Sequence, residues 1–202
     1  MRIRASETNP FRRPVVVTAG TIDRWYRTVE ILGKWGHLDG AAGSHGFALG
    51  GGSGLEDGIS AAFGVHVHCA PGVDLDEPFS EKVAAAEPKS SFSYIFAFNV
   101  LEHLFNPLHA LLEASRLLPI VGHGGDARPR IFASVPRRSC ILRYRGHFHE
   151  FDDYRWSALI ARAGLEIVSE ARFRVGHDLA FGIRPLTRYV TDRVCLYALR
   201  RA

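Results

Sequence analysis

Two stretches of this chain are apolar almost without interruption, "FSYIFAFN" at 92–99 and "RIFASVP" at 130–136, and a helix-like segment lies between them. A strand with one wet face alternates polar and apolar side chains; a strand covered on both faces has no reason to. Continuous apolar strands joined through helices point to an α/β fold with a mostly parallel sheet buried on both sides.

The remaining elements fit that order. "TIDRWYRTVEILGKWG" spaces Trp25, Val29, Ile31 and Leu32 near helical period, with Thr18 or Thr21 as cap and Gly36 as stop, and is expected to cover the sheet as part of a segment spanning 1–40. In "HGFALGGGSGLEDGISAAFG" the apolar run Phe47 to Leu49 precedes a glycine cluster and a helix from about Leu55 to Phe63. "VHVHC" alternates like a strand. Helices are expected at about Phe79 to Ala86 and Pro107 to Leu118. "DDYRWSALIARAG" reads as a helix capped by Asp152 or Asp153 and closed by Gly164, feeding the strand "LEIVSEARFRV", and "DRVCLYALRR" is a last strand. "IVGHGGDARP" is a glycine-rich insertion.

At 202 residues and 47% hydrophobic the chain can bury a full core, most simply as one domain over 1–202. The net charge of +4 is spread along the sequence. Basic groups at Arg2/Arg4/Arg12/Arg13, Arg137/Arg138/Arg143/Arg145 and Arg200/Arg201 read as solvated surface, with phosphate or an anionic substrate as the alternative. Cys69, Cys140 and Cys195 form no CxxC pair, which suits a reducing compartment. No apolar run has secretory or membrane-spanning length, so the expectation is a soluble cytoplasmic protein.

The chemistry concentrates at strand ends. Gly50, Gly52 and Gly54 directly follow a strand, and such glycines let backbone approach a ligand while the next helix offers its N-terminal N–H groups to an anionic end of that ligand. Dinucleotide sites use GxGxxG; here the last glycine comes one residue earlier, a spacing suited to a ligand carrying an amino acid moiety. About twenty residues on, Asp74 in "GVDLDEP" can accept both hydroxyls of a ribose, the other reading being a loop or cap aspartate. The run ending at Asn99 then delivers Glu102 and His103 within five residues.

Taken in order, "FALGGGSG", Asp74, "FSYIFAFNVLEHLFNPLHALLEASRLLP", the glycines before "RIFASVP", and "HFHEFDDYRWSALIARAGLEIV" resemble the class I S-adenosylmethionine-dependent methyltransferases of the type 11/23 kind, from about Phe47 to the C-terminus. The resemblance implies a doubly wound, Rossmann-like sheet with a C-terminal antiparallel strand and S-adenosylmethionine across the carboxyl ends of the strands. Gly50, Gly52 and Gly54 would then approach its methionyl part, Asp74 its ribose, and Asn99 its sulfonium and methyl group. The sequence departs from the family pattern at Ala48, where an acid is usual, in a longer turn before "RIFASVP", and in the middle segment. Phe92 follows Asp74 by only eighteen residues, so the third strand and its helix are expected to be shortened or absent.

His103, His147 and His149 are the candidate catalytic residues. A neutral imidazole has the right pKa to take a proton from an acceptor; alternatively Glu102, His103 and one of the "HFH" histidines bind a divalent cation. The second arrangement resembles small-RNA 2'-O-methyltransferases, with Asn99 in place of their first acid. A third reading has Glu102 and His103 only shaping the loop. His66 and His68 share a strand face and read as packing or surface residues. The absence of D/N-P-P-F/Y after the fourth strand, and of a Pro-Cys context at Cys140, argues against exocyclic-amine and cytosine-C5 methylation.

The expected function is methyl transfer to a small-molecule or lipid- or sugar-linked acceptor, with nucleic acid less favoured. The alternatives are a methyltransferase-like binding module without turnover and metal-assisted RNA 2'-O-methylation.

Overall fold

The structure, a computed structural model, describes residues 19–51, 54–69, 72–86, 92–119, 128, 130–137, 146–175 and 193–202. Thr18, Gly52, Cys140 and the stretch 176–192 lie outside the described residues, as does most of the glycine-rich insertion.

The elements run α1 (Ala19–Trp35), β1 (His45–Ala48), α2 (Leu55–Phe63), β2 (His66–Cys69), α3 (Ser80–Ala86), β3 (Tyr94–Phe98), a 3-10 turn (Leu101–His103), α4 (Pro107–Arg116), β4 (Ile131–Pro136), α5 (Asp153–Arg162), β5 (Leu165–Arg174) and β6 (Arg193–Arg201). Helix α1 is already formed at Ala19, so Thr21 lies inside it and does not cap it. Asn106 caps α4 by accepting the N–H of His109 at 3.1 Å, and Pro107 occupies the first helical position, where no N–H is needed. Of the two aspartates expected at α5, Asp152 is the cap, accepting from Arg155 N at 2.8 Å.

Six strands form one sheet in the order β2-β1-β3-β4-β6-β5. The first four are parallel, while β6 pairs antiparallel with both β4 and β5. Among the described residues no strand lies beyond β2, so that short strand, where the third strand of the family pattern was expected to shrink, is an edge. The core divides into two layers. Phe47, Ile95, Ile131 and Leu199 point to one face, against Phe79, Leu111 and Trp156 of the α3, α4 and α5 side. Phe96, Phe132, Leu196 and Ala198 point to the other, against Leu32 of α1 and Leu55 and Ile59 of α2. β3 and β4 contribute to both layers, which is why their sequences are apolar without alternation; β5, at the other edge, alternates.

Across the α3 side, the Glu113 carboxylate of α4 ties the layer together. Its Oε2 accepts from Phe79 N at 2.9 Å, Ser80 N at 3.0 Å and Ser80 Oγ at 2.9 Å, so α3 is capped by a side chain thirty-three residues away. Burial raises the Glu113 pKa, but the hydrogen bonds from Ser80 and Phe79 and the charge of Arg116 outweigh it, and the net shift is downward.

Candidate functional site

The strand order reverses between β1 and β3. From β1 the chain moves outward to β2, then returns to pair β3 on the opposite side of β1. In open parallel sheets the loops at the carboxyl ends diverge at such a point and leave a crevice. Here those loops are the glycine turn after β1 and the segment Asn99–His103 after β3.

They touch. Leu49 N donates to Phe96 O at 2.8 Å, and Gly50, with φ +67°, is so close to β3 that an added β-carbon would stand 2.8 Å from Val100 Cγ2. Gly51 is tighter still: its β-carbon would meet Cys69 Sγ at 2.3 Å. Gly54 adopts φ +90° before α2, and Trp25 of α1 closes over it, with an added β-carbon 3.2 Å from Cη2 of the ring. Its N–H is donated to Glu56 Oε2 at 2.9 Å. The N–H of the residue that caps α2 is therefore engaged by the helix's own carboxylate.

Asp74 lies in the loop after β2, five residues past Cys69, exposed, and its Oδ1 accepts from Asp76 N at 3.0 Å. This is the local geometry of a loop aspartate. Its neighbour Asp76 does more structural work. The two Asp76 carboxylate oxygens accept from Phe105 N at 3.1 Å and Asn106 N at 2.8 Å, pinning the β2–α3 loop to the start of α4.

Asn99 is the only non-glycine residue with positive φ among the described residues, at 51°. Asparagine tolerates this left-handed conformation better than most side chains. What holds it is visible on both sides: Asn99 N donates to Ser134 O at 2.9 Å, and Asn99 Oδ1 accepts from Ser134 Oγ at 3.0 Å. Its Nδ2 then reaches Glu102 Oε1 at 3.4 Å. The chain Ser134–Asn99–Glu102 thus carries positional information from β4 to the turn after β3.

Glu102 is 1% exposed, and its Oε2 is buried without a hydrogen-bond partner among the described residues. Burial pushes its pKa above the usual carboxylate range, against the opposing pull of its own backbone, His103, Asn99 and Arg24. The backbone carbonyl of Glu102 accepts from Phe148 N at 2.8 Å and His149 N at 3.2 Å, which draws the segment before α5 against the 3-10 turn.

That backbone pairing places the histidines. The His103 Nδ1–H donates to Gly146 O at 2.7 Å, since a carbonyl can only accept, and His103 Nε2 faces Glu102 Oε1 at 4.0 Å. The rings of His103 and His147 meet edge to face at 4.7 Å. Burial, followed by the charge of His103, lowers the pKa of His147 against the opposing effect of Glu150, with Arg24 adding to the downward shift. The net shift favours the neutral imidazole over the imidazolium. His149 goes elsewhere: its Nε2–H donates to Phe105 O at 3.2 Å and its ring stacks on Phe151. Of the three sequence-predicted histidines, two share the site with Glu102 and the third faces a cavity of about 370 Å³ lined by Phe105, Leu108, Phe148, Arg155 and Leu159.

Three participants are not assigned to the site by sequence, where Trp25 reads only as an apolar position of the covering helix. Gly51 sits inside a quoted glycine run but at a position the GxGxG reading skips. Arg24 and Trp25 lie on α1, far from the motifs in sequence, and only the packing of α1 over the glycine turn brings them in. His68 belongs to a separate group on β1 and β2, where His45 Nδ1 and His68 Nε2 stand 2.8 Å apart; this agrees with a packing role.

Solved structures place the fold. The chain superposes on magnesium protoporphyrin IX methyltransferase from Synechocystis PCC 6803 with bound SAH, with a TM-score of 0.56, 11% identity, and 91% of this chain and 84% of that one covered. It also superposes on 1,6-didemethyltoxoflavin-N1-methyltransferase from Burkholderia thailandensis with bound 1,6-didemethyltoxoflavin and S-adenosylhomocysteine (TM-score 0.52, 15% identity, 96% and 94% covered). The cyclase SpnF has the same fold (TM-score 0.50, 14% identity, 87% and 80% covered). The architecture is thus the doubly wound fold of class I methyltransferases, mostly parallel with an antiparallel C-terminal strand, as the resemblance implied. No protein-family model matches the chain, and no curated protein matches it in sequence.

Proposed function

We propose that this protein transfers the methyl group of S-adenosylmethionine to a small-molecule acceptor. The observation that carries the reading is the contact between the glycine turn and Val100 at the point where the strand order reverses, in a fold that in the two methyltransferases above holds S-adenosylhomocysteine.

In this reading Gly50, Gly52 and Gly54 pass beside the methionyl part of the cofactor, Asp74 takes the ribose hydroxyls, and Asn99 stands beside the sulfonium. The bond from the acceptor nucleophile to the methyl carbon forms as the sulfur–carbon bond breaks. The sulfur keeps the electron pair, so the second product is neutral S-adenosylhomocysteine, and the acceptor's proton passes to a base. Alignment of acceptor, methyl carbon and sulfur supplies most of the acceleration, an effect worth roughly 7–11 kcal/mol in well-oriented systems. The His149 ring, at the edge of the cavity with its Nε2–H held by Phe105 O, suits the handling of that proton. The cavity edged by Phe105, Phe148 and His149 suits the body of a small acceptor with apolar surface.

The test is mass spectrometry of ligand released by denaturing freshly purified protein, together with binding of added S-adenosylmethionine. Co-purified cofactor or its demethylated product, and binding weakened by Asp74→Ala, support the proposal. A folded protein that carries no such ligand and binds none at millimolar cofactor would be a binding module on the same fold.

A further inference from the structure

Outside the methyl-binding role, the buried Glu102 needs an explanation. Among the described residues its Oε2 has no hydrogen-bond partner, and Oε1 accepts the long bond from Asn99 Nδ2, in a side chain that is 1% exposed. A buried carboxylate oxygen left unpaired is costly, and native structures compensate such a group with a donor or a cation. Two imidazoles stand beside it: the donor atoms of Glu102, His103 and His147 all lie within 4.8 Å of one another.

We infer that Glu102, His103 and His147 form a binding site for a first-row divalent transition ion such as zinc or manganese. Two imidazoles with one carboxylate is a donor set for these ions, not for calcium or magnesium, which prefer all-oxygen surroundings. Each ligand comes with its orientation fixed. His103 Nδ1–H is held by the Gly146 carbonyl, which commits the lone pair to Nε2, the atom facing Glu102. Metal-bound histidines are oriented by this same device. Asn99 steadies Glu102, and the Glu102 carbonyl fixes the segment that carries His147 through the N–H groups of Phe148 and His149. Metal–ligand bonds of about 2.0–2.2 Å in tetrahedral geometry put ligand atoms roughly 3.4 Å apart, so the three side chains draw in by up to about 1.4 Å around the ion.

Three protein ligands leave positions open on the ion. Because the site follows Val100 by two residues, an open position next to the crevice would hold an oxygen of the acceptor, a hydroxyl or a carboxylate. That assignment of the acceptor atom rests on the methyl-transfer reading; the metal site does not.

The full-length protein, stripped with EDTA and dialysed, is titrated calorimetrically with zinc and with manganese, and S-adenosylhomocysteine binding is titrated separately. One equivalent of metal is expected, weakened by more than about tenfold in Glu102→Gln and in His147→Gln, with cofactor affinity changed far less in both. His147 is only half-buried and tolerates substitution if Glu102→Gln fails to fold. No saturable binding of either ion, or binding untouched by both variants and abolished by His68→Gln, would overturn the site. Metal bound without cofactor would leave it standing while sinking the methyl-transfer reading.

Discussion

A β-carbon on Gly50 would lie 2.8 Å from Val100 Cγ2. The turn after β1 and the first residues beyond β3 are therefore in contact across the two strands where the sheet changes direction, and this contact sets the near wall of the proposed cofactor crevice.

Gly51 has no room for a side chain, its β-carbon falling 2.3 Å from Cys69 Sγ. Gly51→Ala should destabilise the protein by about 1–3 kcal/mol, the usual cost of forcing an extra carbon into packed surroundings. Cys69→Ala in the same chain should recover part of that loss in chemical denaturation. Equal loss with and without the cysteine would mean the clash is not what constrains the turn.

Glu113→Gln removes the charge that caps α3 at Phe79 and Ser80. Hydrogen bonds to a charged group contribute roughly 1.5–3 kcal/mol, and the variant should lose an amount of that order at pH 7. The Glu113 pKa is lowered on folding, so its stabilisation is present above the pKa of the unfolded chain and disappears as pH falls through the folded value. Wild type and variant should therefore converge in stability in acid. A gap that stays constant down to low pH would contradict the assignment.

Glu102 has the opposite sign. Its pKa is raised on folding, so the wild type should lose stability relative to Glu102→Gln as pH rises from the unfolded value through the folded one, provided EDTA is present. Adding zinc or manganese should reverse the order at pH 8, because the ion stabilises only the protein that binds it. Thermal unfolding of both proteins with and without metal reads this directly.

Asp76 holds the amides of Phe105 and Asn106. In Asp76→Ala those two N–H groups should exchange with deuterium faster while the β3 amides remain protected, and stability should fall by about 1 kcal/mol, as for loss of a helix cap. Unchanged exchange at Phe105 and Asn106 would show that the loop is held by other means.

The uninterrupted apolar runs at 92–99 and 130–136 were enough to read a sheet buried on both faces, because only central strands feeding both core layers need that composition. Local punctuation located α2, α4 and α5, whose caps are glycine, asparagine and aspartate. What the sequence leaves out is what depends on contacts across the fold. The capping of α3 by Glu113 spans thirty-three residues, and Arg24 reaches the site only through the packing of α1. The division of labour between His147 and His149 is likewise invisible in "HFH", where alternation alone distinguishes them. It is decided by the backbone pairing of Glu102 with Phe148 and His149. Asp74, chosen for its distance from the glycines, lies five residues past the end of β2 in a local turn closed by Asp76 N.

The most direct measurement is calorimetric titration of S-adenosylhomocysteine into wild-type protein and Gly50→Ala, with circular dichroism verifying that both are folded. Saturable binding to the wild type, lost or strongly weakened when the added methyl meets Val100, is expected. No heat at millimolar ligand in the wild type, or equal affinity in the two proteins, would contradict it.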